Sequence, residues 1–329
     1  MRFFDFFAGI GGFRLGLEMA GHECVGHCEV DKYANMSYNA MHQPKETEVF
    51  FNDIRTIEPR DIPECDIFCG GFPCQSFSIA GLRRGFEDTR GTLFFEIMRI
   101  VRERHPRIVF LENVRGLLNH DGGDTFETII ATLAELGYGV EWEVLNSKYF
   151  GVPQNRERVF IVGHLGGFSG KQIFPLERKS EPNNIVKCLN TKRSDGTEPY
   201  QQDRIYSTEG LSPALMQGKS DLNIIQVGNI VDDSNIGFKN PQRGRVYSPK
   251  GISPALNTCP GGGLEPKILT EINGGMIRKL TPKECFRLQG FPDEYFERAA
   301  KVNSDRQLYK EIGNSVTVNV IYEIGRRFE

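Results

Sequence analysis

No run of about 18 consecutive apolar residues occurs in this chain, so nothing in it reads as a membrane-spanning helix. The N-terminus also lacks the basic start, apolar stretch and small-residue cleavage site of a signal peptide. These absences predict a cytoplasmic protein that contacts no membrane. An excess of one charge is missing as well: 40 Lys and Arg stand against 43 Asp and Glu, for a net charge of -3. Such a balance neither announces nor excludes a nucleic-acid partner, because a basic face can sit on an acidic body. Cysteine is sparse, with 8 scattered over 329 residues, and without a secretory signal free thiols are expected rather than a disulfide framework. Neither His22, Cys24, His27 and Cys28 nor Cys65, Cys69 and Cys74 has the paired short spacing of a zinc site, and no metal is expected.

What is present divides the chain in two, as its length allows. The first half alternates β-prone runs (2–6, 23–29, 48–52, 66–70, 107–112, 140–146 and 158–164) with segments of helical spacing (13–20, 32–41, 92–104 and 125–136). Alternation of this kind predicts a parallel sheet covered by helices on both faces. From about Pro182 to Asn273 the texture changes to Gly, Pro, Asn and Ser around short β-prone runs, with no convincing helix. Helical spacing returns through Val316, Val320, Ile321 and Ile324, which predicts that the chain rejoins the first domain at its end.

The second region contains a repeat. Residues 204–215 (RIYSTEGLSPAL) and 245–256 (RVYSPKGISPAL) are identical at eight of twelve positions. A duplicated hairpin used only as scaffold would explain it; a pair of recognition elements is the sharper alternative.

Four segments carry chemistry. After the first strand, the turn Asp5-Phe-Phe-Ala-Gly-Ile-Gly-Gly-Phe13 leads into a helix, and Glu29 closes the second strand where an acidic residue can bind ribose hydroxyls. That pattern suggests an adenosine-containing cofactor without naming one. Next, Gly70-Gly-Phe-Pro-Cys-Gln-Ser76 follows the fourth strand, beyond whose carboxyl end ligands bind in such sheets, so Cys74 is placed either as a nucleophile or as an ordinary small apolar residue. The Gly-, Ser- and Arg-rich stretch 76–90 has the composition of a lid. Finally, Leu111-Glu-Asn-Val114 ends the fifth strand with Glu112, and Gln154-Asn-Arg-Glu-Arg158 brings two guanidinium groups toward the same edge.

The blocks FAGIGG, PCQS, ENV and QNRER, a variable stretch, then RKLTPKECFRLQGFP (278–292) and GNSV (313–316) follow the order found in bacterial DNA cytosine-5 methyltransferases. Covering nearly the whole chain, the match most resembles the small HhaI-type restriction-modification enzymes. The resemblance implies a Rossmann-like, S-adenosylmethionine-dependent methyltransferase domain, an α/β fold over residues 1–180 completed by 304–329. It also implies a smaller, mostly β target-recognition domain with its hinge over 181–303. Block by block, Cys74 would attack a flipped cytosine, Glu112 would meet ring nitrogen 3 and the amino group, Arg158 the ring carbonyl, and Arg156 would brace Glu112 or the backbone. Phe7 would lie on the cofactor adenine, Glu29 would hold its ribose and Asp53 its amino group. Gly9, Ile10, Gly11, Val30, Ile54, Pro73, Leu93, Asn314, Ser315 and Val316 would complete that pocket. For DNA, the resemblance implies Gln75, Ser78 and Arg90 in the lid, and Gln242, Arg243, Arg245, Gly261 and Gly262 in the recognition region.

Double-stranded DNA is thus the implied partner of a monomer, with a restriction endonuclease acting separately where one exists. Related enzymes can carry a polar residue at the place of Ala80, which leaves open the side chain that fills the vacated base stack. A tRNA cytosine-5 methyltransferase shares the fold, but its Cys-Phe-Thr signature is missing here. A catalytically dead DNA-binding homologue is disfavoured by the intact PCQ, ENV and QNRER blocks, and no room is expected before the cofactor loop for a repressor domain.

Overall fold

The computed structural model describes residues 1–73, 93–167, 172–176, 226–229, 245–247, 252–256, 258, 267–270 and 276–328. Elements follow in the order β1 (Arg2–Phe6), α1 (Gly12–Met19), β2 (Glu23–Cys28), α2 (Lys32–His42), β3 (Val49–Phe51), β4 (Ile67–Gly71), α3 (Leu93–Arg104), β5 (Ile108–Val114), α4 (Asp124–Glu135), β6 (Tyr138–Asn146), β7 (Gln154–Asn155) and β8 (Glu157–Leu165). Then come β9 (Gln226–Asn229), β10 (Arg245–Tyr247), β11 (Ser253–Pro254), β12 (Lys267–Thr270), β13 (Met276–Lys279), α5 (Pro282–Leu288), α6 (Asp293–Ala299), α7 (Asp305–Asn314) and α8 (Val318–Gly325).

Seven strands form one sheet in the order β3-β2-β1-β4-β5-β8-β6. The chain steps outward from β1 to β3, returns to the middle, and proceeds through β4 to the other side, so the order reverses between β1 and β4. Ligands bind in such sheets at that reversal, beyond the carboxyl ends of the strands. The predicted all-parallel sheet needs one correction: β8 runs antiparallel to both β5 and β6. The cause is the connection. No α-helix lies between Asn146 and Glu157, and a parallel return would need a crossover, whereas an antiparallel neighbour does not.

Both sheet faces are buried, which explains the continuous apolar runs in place of alternation. On β1, Phe4 and Phe6 point into a core shared with Phe68, Phe94 and Ile97 under α3 and α4. Phe3 points the other way, into a core with Phe13, Leu17, Ile321 and Ile324. Helix α8 therefore lies against α1. Close packing there depends on Gly16, where an added Cβ would stand 2.6 Å from the Cβ of Ile321.

A third core joins Ile10, Leu15 and Met41 to Leu256, Phe286, Phe291, Leu308 and Ile312, and so carries α5, α6 and α7 onto the base of α1 and α2. The helical spacing that marked the earlier helices does not mark these. Two of them have only 7 residues, too short to display a period. Helix α5 did carry a start signal, since Thr281 and Glu284 form a reciprocal capping box with Pro282 in the first turn. A second sheet, β13-β12-β10-β9, and the short pair β11-β7 account for the remaining strands among the described residues.

Candidate active site

Everything that converges does so at the carboxyl edge of the large sheet. Beyond β1, the backbone of Phe7, Gly9 and Gly11 is left-handed, with φ of +53°, +56° and +80°. Such a conformation is strained for a phenylalanine and easy for glycine. Phe7 is thus held half-exposed over the sheet edge instead of folding into the core. The turn is fixed from two sides. Nε2 of His42 lies 3.0 Å from the carbonyl oxygen of Ile10, and burial pulls the His42 pKa down to about 3, which keeps that ring neutral.

Glu29, just past β2, is buried, and its two carboxylate oxygens accept from the N–H groups of Gly9 and Asp31, each at 2.7 Å. Desolvation raises its pKa, while those two backbone donors and that of Val30 oppose the rise. Asp53 follows the neighbouring β3 and is held by Arg55, whose Nη2 donates at 2.6 Å. The Arg55 bonds hold the Asp53 carboxyl below the usual range. Val30, next to Glu29, is exposed at 63%, and Ile54, next to Asp53, is buried. Two carboxylates and a half-exposed ring on adjacent strand ends suit an adenosine: hydroxyls can donate to one carboxylate, an amino group to the other, and the base can lie on the ring.

The turn from Gly313 to Val316 meets this edge from the far end of the chain. It abuts the first loop so tightly that a Cβ on Gly12 would lie 2.7 Å from Oγ of Ser315. Asn314 is exposed at this turn, and Ser315 and Val316 are buried. The FAGIGG and GNSV blocks thus come together, although their sequence separation spans almost the whole chain.

Beyond β4 the chain runs through buried Phe72 to exposed Pro73. Sequence reasoning missed the residue that holds this turn: Asn113 donates from Nδ2 to the Phe72 carbonyl at 2.8 Å. Strand alternation could have revealed it, since a residue beside Glu112 must face the opposite side and find a polar partner there. Glu112 is buried, and Nε of Arg158 lies 2.9 Å from its Oε1. Antiparallel register places Val114 opposite Arg158, so Glu112 and Arg158 are diagonal neighbours on one face. Burial raises the Glu112 pKa, while Arg158 and then Arg156 oppose the rise. Gly71 makes room for this carboxyl, since a Cβ there would lie 2.9 Å from its Oε2.

Arg156 behaves differently from Arg158. Its side chain turns inward to main-chain carbonyls, those of Leu256, Gly313 and Ser315, at 3.3, 3.2 and 2.7 Å. Of the two expected roles, bracing the backbone is the one these bonds express. Leu93 opens α3 and is half-buried. Arg245 begins β10 in the second sheet, and Cys74, Gln75, Ser78, Ala80, Arg90, Gln242, Arg243, Gly261, Gly262 and the first repeat copy lie outside the described residues. Among the described residues no cluster of metal ligands occurs, and no helix is long and apolar enough to cross a membrane.

The C-5 cytosine-specific DNA methylase family model matches residues 1–329. The type II methyltransferase M.HhaI of Haemophilus parahaemolyticus is 40% identical over 99% of this chain and 94% of its own. M.HpaII of Haemophilus parainfluenzae is 39% identical over 99% and 88%. Among solved structures, the S. pombe Dnmt2 methyltransferase superposes with a TM-score of 0.67 at 21% identity, covering 99% of this chain and 97% of that one, which shows a shared fold.

Proposed function

The chain belongs to the C-5 cytosine-specific DNA methylases, and from that premise we propose that it uses S-adenosylmethionine to methylate one cytosine within a specific duplex DNA sequence. It is a DNA (cytosine-5-)-methyltransferase, acting beside a restriction endonuclease or as an orphan enzyme, as its type II and phage relatives are named. We assign 1–180 with 304–329 to the catalytic unit and 181–303 to target recognition, and place the monomer on DNA in the cytoplasm.

The observation that carries this reading is the buried Glu112–Arg158 pair on the strand whose Asn113 holds the turn at Phe72 and Pro73, the residues that directly precede Cys74 in the sequence. Carbon 5 of cytosine is a poor nucleophile. A thiolate from Cys74 adding at carbon 6 turns the ring into an enamine that can attack an electrophilic methyl group. Bound S-adenosylmethionine supplies that methyl on a sulfonium. Negative charge grows on the ring during attack. In its protonated form, which burial favours and Arg158 opposes, the Glu112 carboxyl can share its proton with ring nitrogen 3 and accept from the amino group, a pattern that thymine cannot match. Arg158 can hold Glu112 and donate to the ring carbonyl. Loss of the carbon-5 proton then expels the thiolate. Because the base is sealed in a duplex, it must flip out, at a cost of a few kcal/mol.

Expression in a methylation-free host, followed by whole-plasmid methylation sequencing, tests the proposal: 5-methylcytosine should appear in one short motif. Replacing Cys74 by Ser should reduce that signal to background while cofactor binding persists. Methylation by Cys74→Ser at a tenth or more of the parent rate would remove Cys74 as nucleophile.

A further inference from the structure

Arg156 joins three parts of the molecule that are remote in sequence. It is 3% exposed, and its own N–H is fixed by Oδ1 of Asn146 at 3.1 Å. Two of its carbonyl partners, Gly313 and Ser315, bound the turn packed on Gly12 in the proposed cofactor pocket. The third, Leu256, ends the second copy of the duplicated sequence. The end of that copy is seated beside Arg156: β11 pairs with β7 in register Ser253 to Gln154 and Pro254 to Asn155, and the Ser253 N–H donates to the Pro153 carbonyl at 2.8 Å. Two residues further on, Arg158 meets Glu112.

A buried guanidinium needs its acceptors, because each unsatisfied charged donor away from water is costly. No carboxylate hydrogen-bonds to Arg156 among the described residues, and its Nε has no partner there, so the carbonyls carry its hydrogen bonding while Glu112 favours its charge through space. Burial, reinforced by the neighbouring Arg158, pulls its pKa down to about 9, which leaves it a cation at neutral pH. The Leu256 segment and the 313–315 turn therefore cannot shift independently without stripping donors from a buried charge.

We propose that Arg156 is a positioning residue that couples seating of the second repeat copy to the shape of the cofactor pocket, so that specific DNA and cofactor bind cooperatively. This rests on the reading of the chain as a DNA methyltransferase whose second repeat copy meets DNA. Coupling of this kind is reciprocal between the two ligands. Gln289 provides a comparison: its Nε2 donates to the Ile312 and Ser315 carbonyls at 3.2 and 3.3 Å, supporting the same turn without a bond to Leu256.

The test is calorimetric binding of S-adenosylhomocysteine to the full chain, alone, with a duplex carrying the methylated motif, and with a scrambled duplex. In the parent, the specific duplex should tighten binding about fivefold or more, within the usual span of coupling. Arg156→Lys should lower that factor below about twofold, whereas Gln289→Leu should weaken binding with and without DNA and keep the factor. An Arg156→Lys protein with the full factor, a Gln289→Leu protein that loses it equally, or a parent that methylates its motif without any factor overturns the proposal. A parent that methylates no DNA instead refutes the enzymatic reading, so the two failures are distinct. Should circular dichroism show Arg156→Lys unfolded, hydrogen exchange on the parent decides: specific duplex without cofactor should slow exchange at amides 313–317, and unchanged exchange overturns the coupling.

Discussion

Glu29 and Glu112 are both buried carboxyls with raised pKa values, yet their partners give them different work. Glu29 accepts from two main-chain N–H groups of the loops it joins, which fits a binding role. Glu112 faces a guanidinium instead of main-chain donors, which fits proton handling. Glu112→Gln keeps a hydrogen-bonding group but cannot deliver a proton, so single-turnover methylation should fall about 100-fold or more, the range of general-acid contributions. Its cofactor affinity should change little. Glu29→Ala should weaken cofactor binding in calorimetry, with a smaller loss of saturated turnover. Equal effects of the two changes on affinity would undo this division of roles. Both glutamates were legible in the sequence because each lies near the carboxyl end of a strand that periodicity locates. Asn113 and Arg55 were not, since their roles are to hold other site groups and neither has a motif that names its partner.

Among elements, the contact of α1 with α8 is close enough to predict a penalty. Gly16→Ala would put a methyl group 2.6 Å from the Cβ of Ile321 and 2.9 Å from the carbonyl of Val318. Overpacking costs about 1 to 3 kcal/mol, against about 1 kcal/mol of helix propensity gained over glycine. Urea unfolding should therefore show a net loss of stability; a gain would mean that the helices separate without cost. Helix α7 offers a pH signature. Its buried Glu311 accepts from Ser37 on α2 at 2.7 Å and from Gln307 at 3.0 Å. Burial nevertheless lifts its pKa from 4.5 to about 7. A carboxyl whose folded pKa is raised binds its proton more tightly in the native state, so its stabilising effect is full below about pH 4.5 and disappears as pH rises to about 7. The effect amounts to at most roughly 3 kcal/mol. Glu311→Gln should flatten that part of the stability profile; an unchanged slope between those pH values would assign it to other groups. Long elements were readable because their buried faces repeat. The reversed direction of β8 was not, since its apolar run looks the same either way and only the missing crossover helix betrays it.

At the scale of the molecule, two copies of one sequence must be given different roles. Only the second is followed by a Gly-Gly-Gly run, at 261–263, and its end is seated on β7. Base reading is therefore expected there: on a randomised-site library, Gln242→Ala and Arg245→Ala should relax the preferred motif, each base contact being worth about 1 to 3 kcal/mol of discrimination. Gln201→Ala and Arg204→Ala should weaken methylation without altering the motif, as phosphate contacts do. The reverse pattern would assign reading to the first copy. The large unit was legible because its sheet is built from consecutive segments, whereas the third core joins Leu15 and Met41 to Leu280 and Leu308, a pairing that no local pattern encodes. The same long-range closure bears on synthesis. The sheet's second face needs Val320, Ile321, Ile324 and Phe328, and the pocket needs the turn at 313–316. A ribosome that has made every strand of the large sheet has therefore supplied the core of one face but neither the finished core of the other nor a finished pocket. Premature chains should be open to proteolysis and inert toward DNA, so that competence arrives late in translation and all at once.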